Sequence, residues 1–241
     1  MSLKGIKLVT FDATNTLLKF KVPPWEYYAC IATDYGFKGT GEEIKSCMLS
    51  SYKTTWIQHP NFGRDTIEWP EWWRKVVTLT LKDKVPSKEL DNIANRLIQD
   101  FKTTKCWECN KGADKILKNI KEKGINIGVI SNFDPRLHEI LQNVNIHKYF
   151  DFVLTSYEVG YAKPDVRIFE KALEQCGDGV TPEESLHIGD DVEKDLEGAQ
   201  SANWKAVLIT KATEKPLACK HVFKTLDELS LAVENGPTLF R

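Results

Sequence analysis

Leu8-Val9-Thr10-Phe11-Asp12-Ala13-Thr14-Asn15-Thr16-Leu17-Leu18 is the stretch whose reading decides the fold. A β-favouring apolar run that ends on a carboxylate and passes into small polar residues reads as a buried strand. Such a strand delivers Asp12 to its C-terminal edge, where open α/β sheets usually place their chemistry. A strand-ending Asp on its own more often caps the following turn. The functional reading therefore rests on what the rest of the chain brings to the same edge.

Working outward, residues from Trp25 to about Phe101 change period. Trp25, Tyr28, Ile31 and Ala32 recur at helical spacing, as do Ile44, Met48 and Leu49, then Trp69, Trp72, Trp73, Val76 and Val77, and finally Ile93, Leu97 and Ile98. The pattern predicts an all-helical insertion over 21–107, entered at Pro23-Pro24 and left through Cys106 to Asn110. The aromatic cluster at Trp69, Trp72 and Trp73 either stacks a ligand or fills the core of a small bundle, and the spacing favours the core. The His59 to Gly63 stretch reads as an interhelical loop.

From Gly112 onward, helix and strand alternate. A helix over Ala113 to Lys123 closes at Gly124, and Ile125 to Ile130 has the continuous apolar character of a central parallel strand ending at Ser131-Asn132. A helix opens at Pro135, a strand follows over Phe150 to Thr155, and Pro164 is expected in the first turn of the next helix. Ser185 to Ile188 ends at Gly189-Asp190-Asp191, and a helix through Ala199, a strand over Ala206 to Ile209, the Val222-Phe223 pair and a helix over Leu226 to Val233 complete the order. This alternation implies an α/β fold with a doubly wound parallel sheet built from residues 1–20 and 108–241.

Composition narrows the function. The 241 residues are 41% hydrophobic, enough for a full core, and 33 basic and 34 acidic residues leave a formal net charge of -1. Without a basic field there is nothing to hold a nucleic-acid backbone, so a small-molecule partner is expected. No apolar run approaches the ~20 residues of a membrane span, and Met1 to Lys7 lacks a secretory core, so the expectation is a soluble, cytoplasmic protein. Cys106 and Cys109 form a lone Cys-x-x-Cys with no second pair for zinc, which favours two ordinary semi-buried thiols.

Asp12, Ser131, Lys163 and the Asp190-Asp191 pair each follow a predicted strand or the loop leaving one. The topology sends all of them to one sheet edge. Together they supply a carboxylate nucleophile, a hydroxyl donor, a cation and a second carboxylate able to share a divalent metal. For Asp190 and Asp191 the alternative is a plain role at the positive end of the following helix.

Asp12 with Thr16-Leu17-Leu18, Ile130-Ser131-Asn132, Lys163-Pro164, and Gly189-Asp190-Asp191 with Asp195 resemble, in that order, the four motifs of the haloacid dehalogenase-like hydrolase superfamily. The resemblance implies a Rossmann-like core with a helical cap inserted after the first motif. It also implies Asp12 as nucleophile and Mg2+ ligand, the Thr14 carbonyl and Asp190 as further ligands, and Ser131 and Asn132 at a phosphoryl group. Lys163 would pair with Asp12 and the phosphate, with Asp191 and Asp195 behind the metal and the lysine.

One position departs from the pattern. Phosphatases that this chain resembles carry a second Asp two residues beyond the nucleophile, where Thr14 stands here. General acid–base catalysis is typically worth ~10²–10⁴-fold, so turnover of poor leaving groups is expected to be slow. Three readings stay open: a weak Mg2+-dependent phosphohydrolase, a 2-haloacid dehalogenase with Arg64 or Arg74 holding the substrate carboxylate, and a protein that binds a phosphorylated ligand or partner without turnover.

Overall fold

The computed structural model describes residues 3–177, 179–211 and 221–235. In chain order the elements are β1 (Leu8–Phe11), β2 (Leu18–Phe20), α1 (Pro24–Thr33), α2 (Gly41–Gln58), α3 (Trp69–Leu81), α4 (Leu90–Asp100), β3 (Trp107–Cys109), α5 (Ala113–Lys121) and β4 (Asn126–Ser131). They continue as α6 (Arg136–Asn143), β5 (Phe152–Thr155), α7 (Ser156–Val159), α8 (Val166–Cys176), β6 (Ser185–Gly189), α9 (Gly198–Ser201), β7 (Lys205–Ile209), β8 (Val222–Phe223) and α10 (Leu226–Asn235). None of the described helices is long and apolar enough to cross a membrane.

The chain forms two compact units. The first contains Met1–Lys19, Cys109–Asn132 and Asn145–Arg241. Its six-stranded sheet runs in the order β5-β4-β1-β6-β7-β8, every pairing parallel. β1 lies between β4 and β6, and its four residues are all buried, which is why the run reads as unbroken rather than alternating. Leu8, Ile130, Ile168, Phe169, Leu196, Trp204 and Leu208 form one apolar cluster of this unit.

The second unit contains Phe20–Glu108 and Phe133–Val144. The four helices α1 to α4 enclose a core that includes Tyr28, Ile31, Ile44, Val77, Leu81, Ile93 and Leu97. Thr40 and Glu43 start α2 with a reciprocal capping box. Trp72 is fully buried, as the helical spacing predicts, but Trp69 and Trp73 do something else. Arg136 lies with its guanidinium 4.6 Å from the Trp73 ring centre and 5.3 Å from that of Trp69. The same guanidinium pairs with the fully buried Asp134, whose Oδ2 also accepts the Trp73 indole N–H at 2.8 Å. The two rings shield a desolvated ion pair that would be costly without its hydrogen bonds. Phe133–Val144, α6 included, thereby packs with the helical unit although it follows β4 in sequence.

Two local expectations need correction. Pro164 is not in the first turn of α8; Asp165 caps that helix through the Arg167 N–H, and Pro164 precedes the cap. The segment after β6 is not a plain α-helix either, since Val192–Glu197 winds as a π-helical turn before α9. β2 and β3 also pair into a two-stranded ribbon, which the short apolar runs did not signal.

Candidate active site

Asp12 follows the last residue of β1, and its backbone N–H donates to the Ile188 carbonyl of β6 at 2.9 Å. The loop beyond it is tightly held. The Leu17 and Leu18 N–H groups return to the Ala13 carbonyl, Asn15 takes a left-handed φ of 64°, and the Asn110 amide donates to the Asn15 and Thr16 carbonyls. Asparagine tolerates that backbone region better than most residues.

The sheet brings most of the expected residues together. Ser131, the last residue of β4, donates its hydroxyl to Asp12 Oδ1 at 3.1 Å, and Lys163 Nζ donates to the same oxygen at 2.7 Å. The other carboxylate oxygen, Oδ2, has no hydrogen-bond partner among the described residues. Lys163 Nζ also donates to Asp195 Oδ1 at 2.6 Å, so the ammonium bridges two carboxylates while only 3% exposed. Asn132 lies next to these groups, but both ends of its amide are engaged by Lys163: Nδ2 donates to the Lys163 carbonyl and Oδ1 accepts the Lys163 N–H. The expected substrate contact at Asn132 thus meets a side chain that holds the lysine loop.

Asp195 has every acceptor position filled. Oδ1 takes Lys163 and His187 Nε2, and Oδ2 takes the backbone N–H groups of Asp190 and Asp191 at 3.0 and 2.9 Å. The π-helical turn places it there, and Gly189 leaves the room: a Cβ at that glycine would come within 2.1 Å of Asp195 Cγ. Asp191, by contrast, caps its own helix, with Oδ1 accepting from the Glu193 and Lys194 N–H groups and Oδ2 from the Lys194 ammonium. Asp190 is half-buried, and the Asn15 side chain beside it partly offsets the rise in its pKa. The Thr14 side chain is half-buried beside this loop.

Electrostatics follow from burial. Desolvation pushes the Asp12 carboxyl up to about 6, with Lys163 only partly offsetting it and Asp195 adding to the rise. Burial and the Asp195 charge also raise Asp190. Burial alone would raise Asp195 as well, but Lys163 and His187 hold it far below the usual carboxylate range. Lys163 is desolvated too, yet its two carboxylates keep it charged and raise it above the ordinary lysine value.

Asp12, Asp190 and Asp195 each offer a carboxylate oxygen within 4.8 Å of the others, a group that could hold a metal ion. Three carboxylates face the buried Lys163 ammonium, so negative charge is in excess, and an all-oxygen set suits a hard divalent cation. Beside Asp190 opens a cavity of about 570 Å³ whose walls include Asn15, Lys19, Lys111, Lys211 and Lys224. The Cys106 to Cys109 pair stands apart from this chemistry. Both are free thiols, and burial pushes Cys106 up to about 12, which suppresses its thiolate.

Sequence reasoning missed Thr10 and His187. Each is fully buried, and they face one another across β1 and β6, with Thr10 Oγ1 2.8 Å from His187 Nδ1. A histidine inside an apolar strand was the available signal. Of the two arginines considered for a substrate carboxylate, Arg64 pairs with Asp65, and Arg74 bonds Asn95 and pairs with Glu71.

A family model described as haloacid dehalogenase-like hydrolase matches residues 6–203. The chain is 36% identical to the Rhythmically expressed gene 2 protein of Drosophila melanogaster, over 99% of each chain. It is 30% identical to Haloacid dehalogenase-like hydrolase domain-containing protein 3 of Mus musculus, over 95% of this chain and 94% of the relative. Among solved structures it is similar to a HAD phosphatase from Thermococcus onnurineus, with a TM-score of 0.65, 22% identity and coverage of 96% and 99%. It is also similar to L-2-haloacid dehalogenase from Xanthobacter autotrophicus with chloropropionic acid covalently bound, with a TM-score of 0.66, 20% identity and coverage of 95% and 99%. The fold is common to both of those proteins. On the match over residues 6–203 and the relatives that extend along almost its whole length, this chain belongs to the haloacid dehalogenase-like hydrolase family.

Proposed function

We propose that the protein is a Mg2+-dependent phosphohydrolase working through an aspartyl-phosphate on Asp12, and a slow one on ordinary monoesters. The observation that carries this reading is the arrangement of Asp12: buried, one oxygen held by Ser131 and Lys163 and the other without a hydrogen bond among the described residues. A carboxylate fixed in this way can attack with its second oxygen. The new P–O bond forms as the ester P–O bond breaks, and the electron pair leaves on the ester oxygen. Water then attacks the phosphorus, releasing phosphate and the Asp12 carboxylate. Lys163 offsets charge on the phosphoryl oxygens, and the Ser131 hydroxyl orients them.

Asp12, Asp190 and the Thr14 carbonyl would hold Mg2+. Asp195 is excluded from direct ligation because its four acceptor positions are occupied. When bound, the ion supplies positive charge against the phosphoryl oxygens and the excess carboxylates. Asn132 and Asp195 then position Lys163, and Asp191 holds the helix that carries Asp195. The leaving oxygen needs a proton, and a Thr14 hydroxyl cannot donate and recover one at neutral pH as a carboxylic acid can.

The test is a panel of phosphorylated metabolites, an activated aryl phosphate and 2-halo-acids, each with and without Mg2+, on wild type and Asp12→Asn. The expected result is Mg2+-dependent phosphate release, fastest on the aryl phosphate and abolished by Asp12→Asn. Metal-independent halide release would establish dehalogenation instead. Binding of phosphorylated compounds with no turnover of any substrate would make this a non-catalytic member of the family.

A further inference from the structure

We propose that His187 is a positioning residue for this reaction, a fixed-tautomer donor that locks Asp195 and through it both Lys163 and the Asp190 backbone. The proposal rests on the reading of Asp12 as nucleophile and Lys163 as its charge partner. It adds a residue that the four sequence motifs do not contain.

The chemistry of the partners sets the tautomer. An ionised Asp195 carboxylate only accepts, so His187 Nε2, 3.1 Å from Oδ1, must carry the proton. Nδ1 then presents its lone pair, and the Thr10 hydroxyl 2.8 Å away donates to it. The opposite tautomer would point a bare nitrogen at a carboxylate; the Thr10 hydroxyl, which can donate or accept, fits either form, so Asp195 is the partner that decides. The ring plane is fixed as well, since the Phe169 ring meets it edge to face at 5.3 Å and 87°. Burial keeps the ring neutral by holding its pKa down to about 4.

A neutral, fully buried histidine in a central strand costs desolvation that an aliphatic residue would avoid. Its return is geometric. The Asp195 carboxylate must aim Oδ1 at Lys163 and Oδ2 at two backbone N–H groups at once, and the His187 donor selects that rotamer. Without it, Lys163 is the one donor left on Oδ1 among the described residues, and the carboxylate is held by Lys163 and the two backbone N–H groups alone. Both the Lys163 approach to Asp12 and the Gly189 to Asp191 turn would loosen.

The experiment combines a spectrum with two variants. In 15N NMR of wild type, the His187 ring should show a protonated Nε2 and an unprotonated Nδ1 at neutral pH; a protonated Nδ1 overturns the proposal without any mutation. His187→Phe should lower kcat about 10-fold to 100-fold, the worth of a hydrogen bond to a charged group, with KM changed by less than about 3-fold. His187→Gln, whose amide N–H can reach the same carboxylate, should recover most of that loss. Equal loss in Phe and Gln variants, or a loss confined to KM, overturns the positioning role. The Asp190 and Asp191 amide resonances should shift in His187→Phe and return in His187→Gln, a readout that needs no turnover. Failure of the underlying reading is recognised separately, by Asp12→Asn hydrolysing phosphate esters as fast as wild type.

Discussion

Replacing Asp195 with asparagine isolates the interaction on which the site's geometry depends. The carboxylate accepts four hydrogen bonds, two on each oxygen, and is 2% exposed. An isosteric amide has one acceptor end. If its oxygen faces Lys163 and His187, its NH2 meets the N–H groups of Asp190 and Asp191; if it turns over, its NH2 meets an ammonium and an imidazole N–H. Either way two buried donors lose their acceptor, and Lys163 keeps Asp12 as its remaining carboxylate. Breaking a buried pair by removing one charge costs about 3 to 5 kcal/mol, a large part of the 5–15 kcal/mol that typically stabilises a fold. Urea unfolding of metal-free protein at pH 7, followed by hydrogen exchange in β1 and β6, reports on this unit alone. With a slope near 3 kcal/mol per molar, the midpoint should fall by about 1 to 2 M. A shift below about 0.3 M would refute the reasoning, because it would mean that the four donors find other partners at little cost.

Thr14→Asp should raise turnover of unactivated phosphomonoesters by up to ~10²-fold and of an activated aryl phosphate by less, measured by phosphate release; equal gains on both would show that protonation of the leaving group is not what limits wild type. Asp190→Asn should weaken Mg2+ binding in calorimetry while leaving the fold intact, and unchanged affinity would remove Asp190 from the ligand set. His187 has a folded pKa of about 4 against an ordinary 6.5, so the unfolded state takes up its proton first and stability is lost as pH falls from 6.5 to 4; His187→Gln should remove roughly 3 kcal/mol of that dependence from urea titrations. Trp73→Phe, which removes the indole donor to Asp134, should destabilise the helical unit by about 1.5 to 3 kcal/mol in thermal unfolding, and a neutral result would show that Arg136 alone satisfies that carboxylate.

The sequence by itself determined the parts of the molecule that depend on local pattern. Largely apolar runs at Leu8 to Phe11, before Ser131 and before Gly189 read as buried parallel strands, and the residues after them as lying at one edge. That reading places Asp12, Ser131, Lys163 and Asp190 at the same edge. The helical period of the insertion likewise followed from its apolar spacing.

Tertiary structure decided what each of those side chains is bonded to. Thr10 and His187 are 177 residues apart, and only the β1 to β6 register sets them side by side. Asn132 could face a ligand or hold a loop until the Lys163 backbone was seen to take both ends of its amide. Asp190 and Asp191 are adjacent and alike in sequence, yet Asp191 caps the π-helical turn through the Glu193 and Lys194 N–H groups while Asp190 offers a carboxylate oxygen within 4.8 Å of those of Asp12 and Asp195. Asp134, Arg136 and Trp73 show the same limit: the ion pair is local, but its aromatic cover comes from α3, 61 residues away from Asp134. Periodicity records which face of an element is buried, because that cost is paid residue by residue. Hydrogen-bond partners are chosen by register, loop path and rotamer, which depend on the whole chain at once.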